Sequence, residues 1–368
     1  MLAGDRDYIV ADMICTTAIQ TYMNGKEYTP LLTQDKVDAA MKANREKALR
    51  EYYNQPTRDG GVNQIVKWGT IRRNENFYLP KLCYTEGSNI CLALDPARTL
   101  DNSILGAMNI VNDPNYGYIG EIVNCVNLFD KASKNGYKLD SNRQLKEIRR
   151  YLSVYNGQHN DYVNIDSLLV DQGAGGGGVS TYADGLLNDW VGDDGRPHRG
   201  LIDANHEIYA GYKELYPNAI DKLKLISPRK YRTQMVDEMI ELMDLGVIKF
   251  PYEYKQEFIT FSKMDLENKN EERIEDYQLS DKEIIALMNI DLMKIETTSI
   301  YKYENAEKTS KTYALAKDKE SSMHDDRFYV LIMLAHRLYE LRRGQTIVNK
   351  VPQTDYSSAP RCVSSISF

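Results

Sequence analysis

The sequence predicts an α/β fold in which an antiparallel meander of three strands is extended by parallel strands and flanked by helices. Residues Ile90 to Leu94 form an apolar run that ends at Asp95, and Pro96 cannot continue a strand ladder. Two further strand-like stretches, Ser103 to Val111 and Tyr118 to Asn127, follow after short turn-like connectors, which favours a meander. Helical and strand-like patterns then alternate, as is typical of α/β domains.

The later elements are predicted from periodicity and from chain breakers. Gln144 to Tyr155 is a predicted helix that stops at Asn156-Gly157, and Ile165 to Val170 returns to the sheet beside the first strand. Val247 to Phe250 is a short predicted strand, whereas the charged run Asn268 to Asp276 is predicted to be a surface connection. Further helices are predicted over Thr33 to Tyr53, Thr181 to Val191, Tyr231 to Leu245, Leu279 to Met293 and Asp325 to Arg343.

Composition and charge restrict the class of protein. The 368 residues are 42% hydrophobic and 27% charged, which is typical of a globular chain, and no run of about 18 apolar residues predicts a membrane span. The chain's start lacks a basic leader, and its five cysteines lie far apart, so we expect no secretory signal, disulfide scaffold or zinc ribbon. A net charge of −7 does not indicate general nucleic-acid binding, so any DNA contact needs local basic patches or metal ions.

Carboxylates stand at the ends of three apolar elements. Asp95 ends the first predicted strand, Asp171 follows the strand that ends at Val170, and Asp325 and Asp326 open the last predicted helix. Open α/β sheets keep their ligands at the carboxyl ends of the strands, so we expect these acids to converge. Converging carboxylates hold Mg²⁺ or Mn²⁺, and two such ions about 4 Å apart promote phosphodiester hydrolysis.

Each of these acids also has a purely structural explanation. Asp95 is equally suited to capping its strand or pairing with Arg98, and Asp171 to forming an Asx turn. Asp325 and Asp326 are of the residue type that caps a helix N-terminus. No single acid therefore identifies a site by itself.

A glycine run, Gly173 with Gly175 to Gly178, follows Asp171 directly. It is not a phosphate-binding P-loop, because no Lys-Ser/Thr pair follows it, and it lacks the ribose-binding acid of a dinucleotide site. Two interpretations stay open: a flexible loop, or a tight turn whose missing side chains let a metal or a nucleic-acid backbone approach Asp171.

Basic residues form local clusters despite the negative net charge. Solvated helix faces are the default explanation for them, although the cluster within KLKLISPRKYR would suit a phosphate backbone if it lay beside the acids. The clusters are Lys146, Arg149 and Arg150; Lys222, Lys224, Arg229, Lys230 and Arg232; and Arg337, Arg342 and Arg343.

Taken in order, three motifs resemble the nuclease domain of phage terminase large subunits, the DNA-packaging motors of tailed phages. These motifs are LALDPAR around Asp95, LLVDQGAGGGG around Asp171, and His324-Asp325-Asp326 before an apolar helix. The resemblance covers roughly Glu86 to Gly344. It implies a fold similar to ribonuclease H, with a mixed sheet, flanking helices and an acidic site for two metal ions.

The resemblance also implies a function and its residues. The chain would be a metal-dependent endonuclease that cuts concatemeric double-stranded viral DNA, with Asp95, Asp171 and Asp326 as catalytic residues and Asp325 as a further metal ligand or substitute. The implied cofactors are two Mg²⁺ or Mn²⁺ ions. The implied partners are double-stranded DNA, a terminase ATPase half, a small terminase subunit and a portal protein, in the host cytoplasm and not at a membrane.

The same resemblance suggests a domain division. Residues 1–85 would be a helical lead-in, residues 86–344 the nuclease domain and residues 345–368 a polar tail. The chain contains no Walker A motif, and too few residues precede Asp95 to form an ATPase domain. Two explanations stay open: the chain is a separate nuclease piece, from a split gene or a shortened protein, or another polypeptide supplies the motor half. In either case we do not expect this chain itself to drive translocation with ATP.

Two other functions compete with this one. The first keeps the fold but changes the substrate, as in a junction resolvase or another ribonuclease H-like nuclease. The second is a non-catalytic module that docks a motor to a portal. A pure docking surface has no reason to gather three acids, so acids that lie far apart would favour it.

Overall fold

The computed structural model describes most of the chain between residues 63 and 348. The described residues are 22–23, 26–27, 34–43, 48, 52, 63–96, 103–128, 140–157, 159–173, 179–254, 258–264, 272–304, 311–317, 319–320 and 323–348. Their helices are α1 Gln34–Ala43, α2 Trp68–Arg73, α3 Ser141–Asn156, α4 Val179–Leu187, α5 Pro228–Asp244, α6 Asp281–Thr298 and α7 Asp326–Val348. None of these helices combines the length and apolarity that crossing a bilayer requires.

The strands of the described residues include seven that form one sheet and ten that form short two-stranded ribbons. The sheet strands are β3 Glu75–Asn76, β4 Ile90–Asp95, β5 Ile104–Asp113, β6 Gly117–Asn127, β7 Ile165–Asp171, β12 Leu223–Ile226 and β13 Ile248–Pro251. The ribbon strands are β1 Tyr22–Met23, β2 Lys26–Glu27, β8 Trp190–Val191, β9 Pro197–His198, β10 Leu201–Ile202, β11 Ile220–Asp221, β14 Phe258–Met264, β15 Glu272–Gln278, β16 Ile300–Glu304 and β17 Lys311–Leu315.

The strand order of the sheet is β12-β7-β4-β5-β6-β13-β3. Strands β4, β5 and β6 pair antiparallel as a meander, and β7 and then β12 add to the other side of β4 in parallel. This mixed arrangement, with helices on both faces, confirms the predicted ribonuclease H-like fold. Strands β13 and β3 extend the far edge in parallel with β6.

Both faces of the sheet are covered because its central strands are apolar on both sides. Along β4, Cys91 and Ala93 face one buried cluster, and Ile90, Leu92 and Leu94 face another. The first cluster includes residues from α2, α5, α6 and α7, and the second includes residues from α3 and α4. Such burial on both faces explains why the strand shows a continuous apolar run and no alternation.

Helix α7 lies directly against the strands of the meander. A Cβ atom built on Gly106 of β5 would stand 2.4 Å from Cγ1 of Val330, so the glycine is required for this close approach. Val330 is completely buried, as are Phe328 and Leu331 to Ala335. The missing side chain therefore fixes how closely the helix seats on the sheet.

The described structure confirms most of the predicted elements and corrects two of them. The helix predicted to end at Val191 ends at Leu187, because Trp190 turns into a ribbon, stacks on His198 at 4.2 Å and donates a hydrogen bond to Tyr162. Residues 272–276 of the charged run predicted as a connection belong to strand β15, which pairs antiparallel with the preceding strand β14. The charged composition of the run did not indicate this pairing.

The predicted domain division stays a prediction, but the packed unit extends ahead of residue 86. Val66, Trp68 and Ile71 belong to the buried cluster on the α7 face of the sheet, and β3 is part of the sheet itself. The helix predicted over Thr33 to Tyr53 is confirmed over Gln34–Ala43. The polar tail, residues 349–368, lies outside the described residues.

A buried carboxylate from α6 holds the first turn of α7. Glu296 accepts hydrogen bonds from the backbone N–H groups of Arg327 and Phe328 at 2.8 and 3.1 Å, and its other oxygen is 2.8 Å from Nη1 of Arg327. The side chains of this ion pair are 6% and 11% exposed. The carboxylate thus satisfies helix N–H groups that have no partner within the helix.

We expect the substitution Glu296→Ala to lower the free energy of unfolding by about 3–5 kcal/mol, because it leaves the guanidinium of Arg327 without its counter-ion and two buried N–H groups without their acceptor. Chemical denaturation followed by circular dichroism measures the change. Asp244→Ala is the matched control, since its pair with Arg73 is long and exposed, and it should cost less than about 0.5 kcal/mol. A loss of that small size in Glu296→Ala would contradict the proposed anchoring.

A second ionic contact ties α7 to α5. Nδ1 of His336 lies 2.6 Å from Oε2 of Glu238, and Nε2 lies 3.6 Å from Oε1 of Glu340. Burial acts to lower the pKa of His336, but the hydrogen bond and charge of Glu238, together with Glu340, outweigh burial and the opposing charge of Arg337 and raise it. The folded chain therefore holds the imidazolium form more tightly than the unfolded chain does.

We expect this contribution to stability to be fully present below the ordinary histidine pKa of about 6.5 and to be lost as the pH rises through the raised folded value. Denaturation curves of the wild type and His336→Gln at pH 5.5, 7 and 8.5 measure it. The difference between the two proteins should shrink as the pH rises. A difference that is constant across this range would remove His336 from the pH dependence.

Candidate active site

Two acids share one edge of the sheet because their strands pair in parallel. Asp95 is the last residue of β4 and Asp171 the last residue of β7, and the register places Leu94 beside Val170 immediately before them. Strand β12 ends at the same edge, since Ile226 pairs with Asp171. Helix α5 starts two residues later and is thereby brought to the same edge.

A pocket of about 710 Å³ opens at this edge. All four acids named from the sequence line it, so the structure brings together the three distant motifs. Its lining residues are Asp95, Pro96, Asp171, Gly173, Arg229, Ala314, Leu315, Glu320, Met323, His324, Asp325, Asp326 and Tyr329. The predicted convergence on one pocket is therefore observed.

Acids that line one pocket do not by themselves form a metal-binding site. Among the residues that the structure describes, no three His, Cys, Asp or Glu side chains stand close enough together to hold one metal ion. The donor chemistry nevertheless fits a hard divalent cation, since the acids of this pocket are oxygen donors at strand and helix ends. Binding of an ion here requires the carboxylates to turn toward a common point.

Asp171 forms the Asx turn that its sequence context allowed, and it also lines the pocket. Its Oδ1 accepts a hydrogen bond of 2.8 Å from the backbone N–H of Gly173, which is the Asx turn, and Gly173 itself adopts φ +68°. Burial raises the pKa of Asp171 above its ordinary value, and the bond from Gly173 opposes this rise. The turn leaves Asp171 lining the pocket; residues 174–178 of the glycine run lie outside the described residues.

Asp325 has a cationic partner that the sequence did not reveal. Its Oδ2 is 2.8 Å from Nη2 of Arg232 on α5. Its backbone carbonyl accepts a hydrogen bond from the N–H of Tyr329, so Asp325 also stands at the N-terminal boundary of α7. Asp326, the first residue of that helix, is 7% exposed.

Tyr329 lines the acidic pocket. Burial raises the pKa of its hydroxyl, the neighbouring Arg232 opposes this, and the charges of Asp325, Asp95 and Asp171 add to the rise. The tyrosine therefore shares its pocket with acids from three separate parts of the chain.

Two charged residues of the pocket, Arg229 and Glu320, were not among the site residues predicted from the sequence, and the sequence indicated them to different degrees. Arg229 lies in the cluster KLKLISPRKYR and is exposed in the first turn of α5, directly after the edge strand. Its neighbour Tyr231 departs from helical geometry, with φ −108° and ψ 17°, which separates this turn from the rest of the helix. Glu320 lies in a charged stretch after β17, where nothing in the local pattern distinguishes it.

The other basic residues named from the sequence do not reach the pocket. Lys146 pairs with Asp193, Arg149 donates to the carbonyl of Gly185, and Arg150 pairs with Glu147. Within the last helix, Arg337 pairs with Asp166, and Arg342 donates to the carbonyls of Tyr116 and Tyr118. These residues therefore make contacts away from the pocket. Of the basic clusters in the described part of the chain, Arg229 lines the pocket and Arg232 pairs with its acid Asp325.

Comparisons with known proteins find no matching family model and no matching curated protein. The chain is similar in structure to the large terminase nuclease of the thermophilic phage G20c, with a TM-score of 0.40 and 10% identity over 75% of this chain and 98% of that one. For the large terminase nuclease domain of Thermus phage P74-26, the values are 0.37 and 11%, over 76% and 96%. For the large terminase of bacteriophage HK97, they are 0.39 and 10%, over 84% of this chain and 51% of that one.

Proposed function

We propose that this chain is a metal-dependent DNA endonuclease of a phage packaging terminase. The observation that carries the proposal is the single pocket lined by Asp95, Asp171, Asp325 and Asp326, with Arg229 at its side. Acids for metal binding next to a cation for phosphate binding are the two components that phosphodiester hydrolysis requires.

In this proposal Asp95, Asp171 and Asp326 hold the metal, with Asp325 as a further or substitute ligand. Two bound Mg²⁺ or Mn²⁺ ions would supply an attacking water of lowered pKa and a counter-charge for the leaving 3′ oxygen. Arg229 binds a phosphate of the DNA backbone beside the acids, because it is exposed and lines the pocket. Contacts of this kind position the duplex without reading its sequence.

The packaging context comes from the order of the three motifs. Three motifs resemble those of terminase large subunits: an acid at the end of the first strand, an acid before a glycine run, and a His-Asp-Asp sequence before an apolar helix. On that basis the substrate is concatemeric double-stranded viral DNA, in the host cytoplasm. The proposed partners are a terminase ATPase half, a small terminase subunit and a portal.

A junction resolvase or another ribonuclease H-like nuclease is the alternative within the same fold. Comparing cleavage of a linear duplex, a four-way junction and an RNA–DNA hybrid separates the substrates. The non-catalytic docking module is less well supported, because four acids from three elements line one pocket.

We expect Asp95→Asn and Asp171→Asn each to reduce plasmid cleavage by at least about a hundredfold, because each removes a charged metal ligand while keeping the shape of the side chain. Gel electrophoresis of plasmid incubated with purified protein and Mn²⁺ measures the rate. Asp193→Asn is the control, since this acid is exposed and pairs with Lys146 away from the pocket. Wild-type rates in both pocket variants, with their folding confirmed, would exclude Asp95 and Asp171 from catalysis.

We expect EDTA to abolish cleavage and added Mn²⁺ or Mg²⁺ to restore it, whereas Ca²⁺ should not, because Ca²⁺ prefers more ligands and longer bonds than Mg²⁺. The same plasmid assay measures this after dialysis against the chelator. Cleavage that persists in EDTA would contradict a metal-dependent mechanism. Absence of cleavage by the folded wild type in every metal would favour the docking module or a nuclease that requires its partner.

A further inference from the structure

Arg232 connects the start of α5 to the start of α7 beside the acidic pocket. Its Nη2 is 2.8 Å from Oδ2 of Asp325, and its Nη1 donates a hydrogen bond to the hydroxyl of Tyr329. The guanidinium carbon is also 4.6 Å from the centroid of the Tyr329 ring. The side chains of Arg232 and Asp325 are only 21% and 27% exposed.

This contact changes the role that Asp325 can have. One of its oxygens accepts a hydrogen bond from the guanidinium of Arg232. A charge-assisted bond of this length is among the stronger hydrogen bonds in proteins. Asp326 is the neighbouring acid, and it begins the helix that Glu296 anchors from α6. The two consecutive acids are therefore placed differently, and the difference agrees with the sequence-based preference for Asp326 as the ligand.

The charge of Arg232 also acts on the pocket as a whole. The tyrosine to whose hydroxyl it donates, Tyr329, lines the same pocket as Asp325, Asp95 and Asp171. A cation at this position offsets part of the mutual repulsion of the carboxylates, and at partial burial such charges interact more strongly than they do in water. Arg229, by contrast, is exposed and lies in the preceding turn.

We propose that Arg232 is a positioning residue of the pocket. It packs on Tyr329 and holds the Asp325 carboxylate as its counter-ion. In this way it sets the net charge that the pocket presents to a divalent cation and to DNA. This inference rests on the proposed nuclease function and deepens it. Asp326 is then the acid of α7 that binds metal, and Asp325 acts through its pairing with Arg232. The arrangement balances two opposite demands, since a more negative pocket binds cations better and the DNA backbone worse.

The test compares Arg232→Gln with the wild type in two binding measurements that do not depend on cleavage. In the first, Mn²⁺ alone is titrated into the full chain, and free Mn²⁺ is followed by electron paramagnetic resonance. In the second, the full chain is titrated into a short labelled DNA duplex in EDTA, and binding is followed by fluorescence anisotropy. We expect Arg232→Gln to bind Mn²⁺ more tightly by on the order of fivefold and the duplex more weakly by a similar factor, because one positive charge has been removed. Loss of the local structure alone would weaken the binding of both Mn²⁺ and the duplex.

Three further variants make the interpretation specific. Arg232→Lys keeps the charge and should bind Mn²⁺ within about twofold of the wild type. The double variant Arg232→Gln with Asp325→Asn restores the charge balance and should return Mn²⁺ affinity to about the wild-type value. Arg73→Gln is the matched control, because Arg73 pairs with Asp244 at the opposite end of α5 and is exposed.

The outcomes separate this inference from the proposed function. Opposite shifts of Mn²⁺ and duplex affinity, reversed in the double variant, support it. Unchanged or weakened Mn²⁺ binding in Arg232→Gln overturns it, even if the wild type binds Mn²⁺ and cuts plasmid DNA. A wild type that neither binds Mn²⁺ nor cuts DNA overturns the proposed nuclease instead.

Discussion

The parallel pairing of β4 with β7 is the constraint on which the candidate site depends. The two strands are 70 residues or more apart in the chain, yet their register brings Asp95 and Asp171 to the same edge of the sheet. A shift of one residue would turn either side chain to the other face. Burial of both strands on both faces makes such a shift costly, since each apolar residue would exchange one packed environment for another.

The third element of the site is positioned by helix packing. Helix α7 seats closely on the meander because Gly106 has no side chain there, and Glu296 holds the first turn of the helix. The start of the helix, where Asp325 and Asp326 stand, is therefore positioned by contacts that other residues of the chain make.

Electrostatics explains why the pocket needs cations of its own. Five carboxylates line the pocket, and nearby positive charge reduces the mutual repulsion of their ionised forms. Arg232 is held between Asp325 and Tyr329, whereas Arg229 is exposed in the preceding turn. The two arginines stand three residues apart in sequence but differ in burial and partners. In the proposed function, Arg232 holds the site and Arg229 meets the DNA backbone.

Sequence by itself determined the α/β class, the meander and the acids at the ends of strands and helix, because apolar periodicity and chain breakers are local properties of the chain. It placed Asp326 slightly ahead of Asp325 as a ligand, and it did not predict Glu320 at the site or the ribbons at β8–β9 and β14–β15. The tertiary structure adds contacts between residues that are not neighbours in the chain, which local periodicity does not reveal. The guanidinium that pairs with Asp325 comes from Arg232, 93 residues earlier, and the two ribbons are defined by strand pairing and by the stacking of Trp190 on His198.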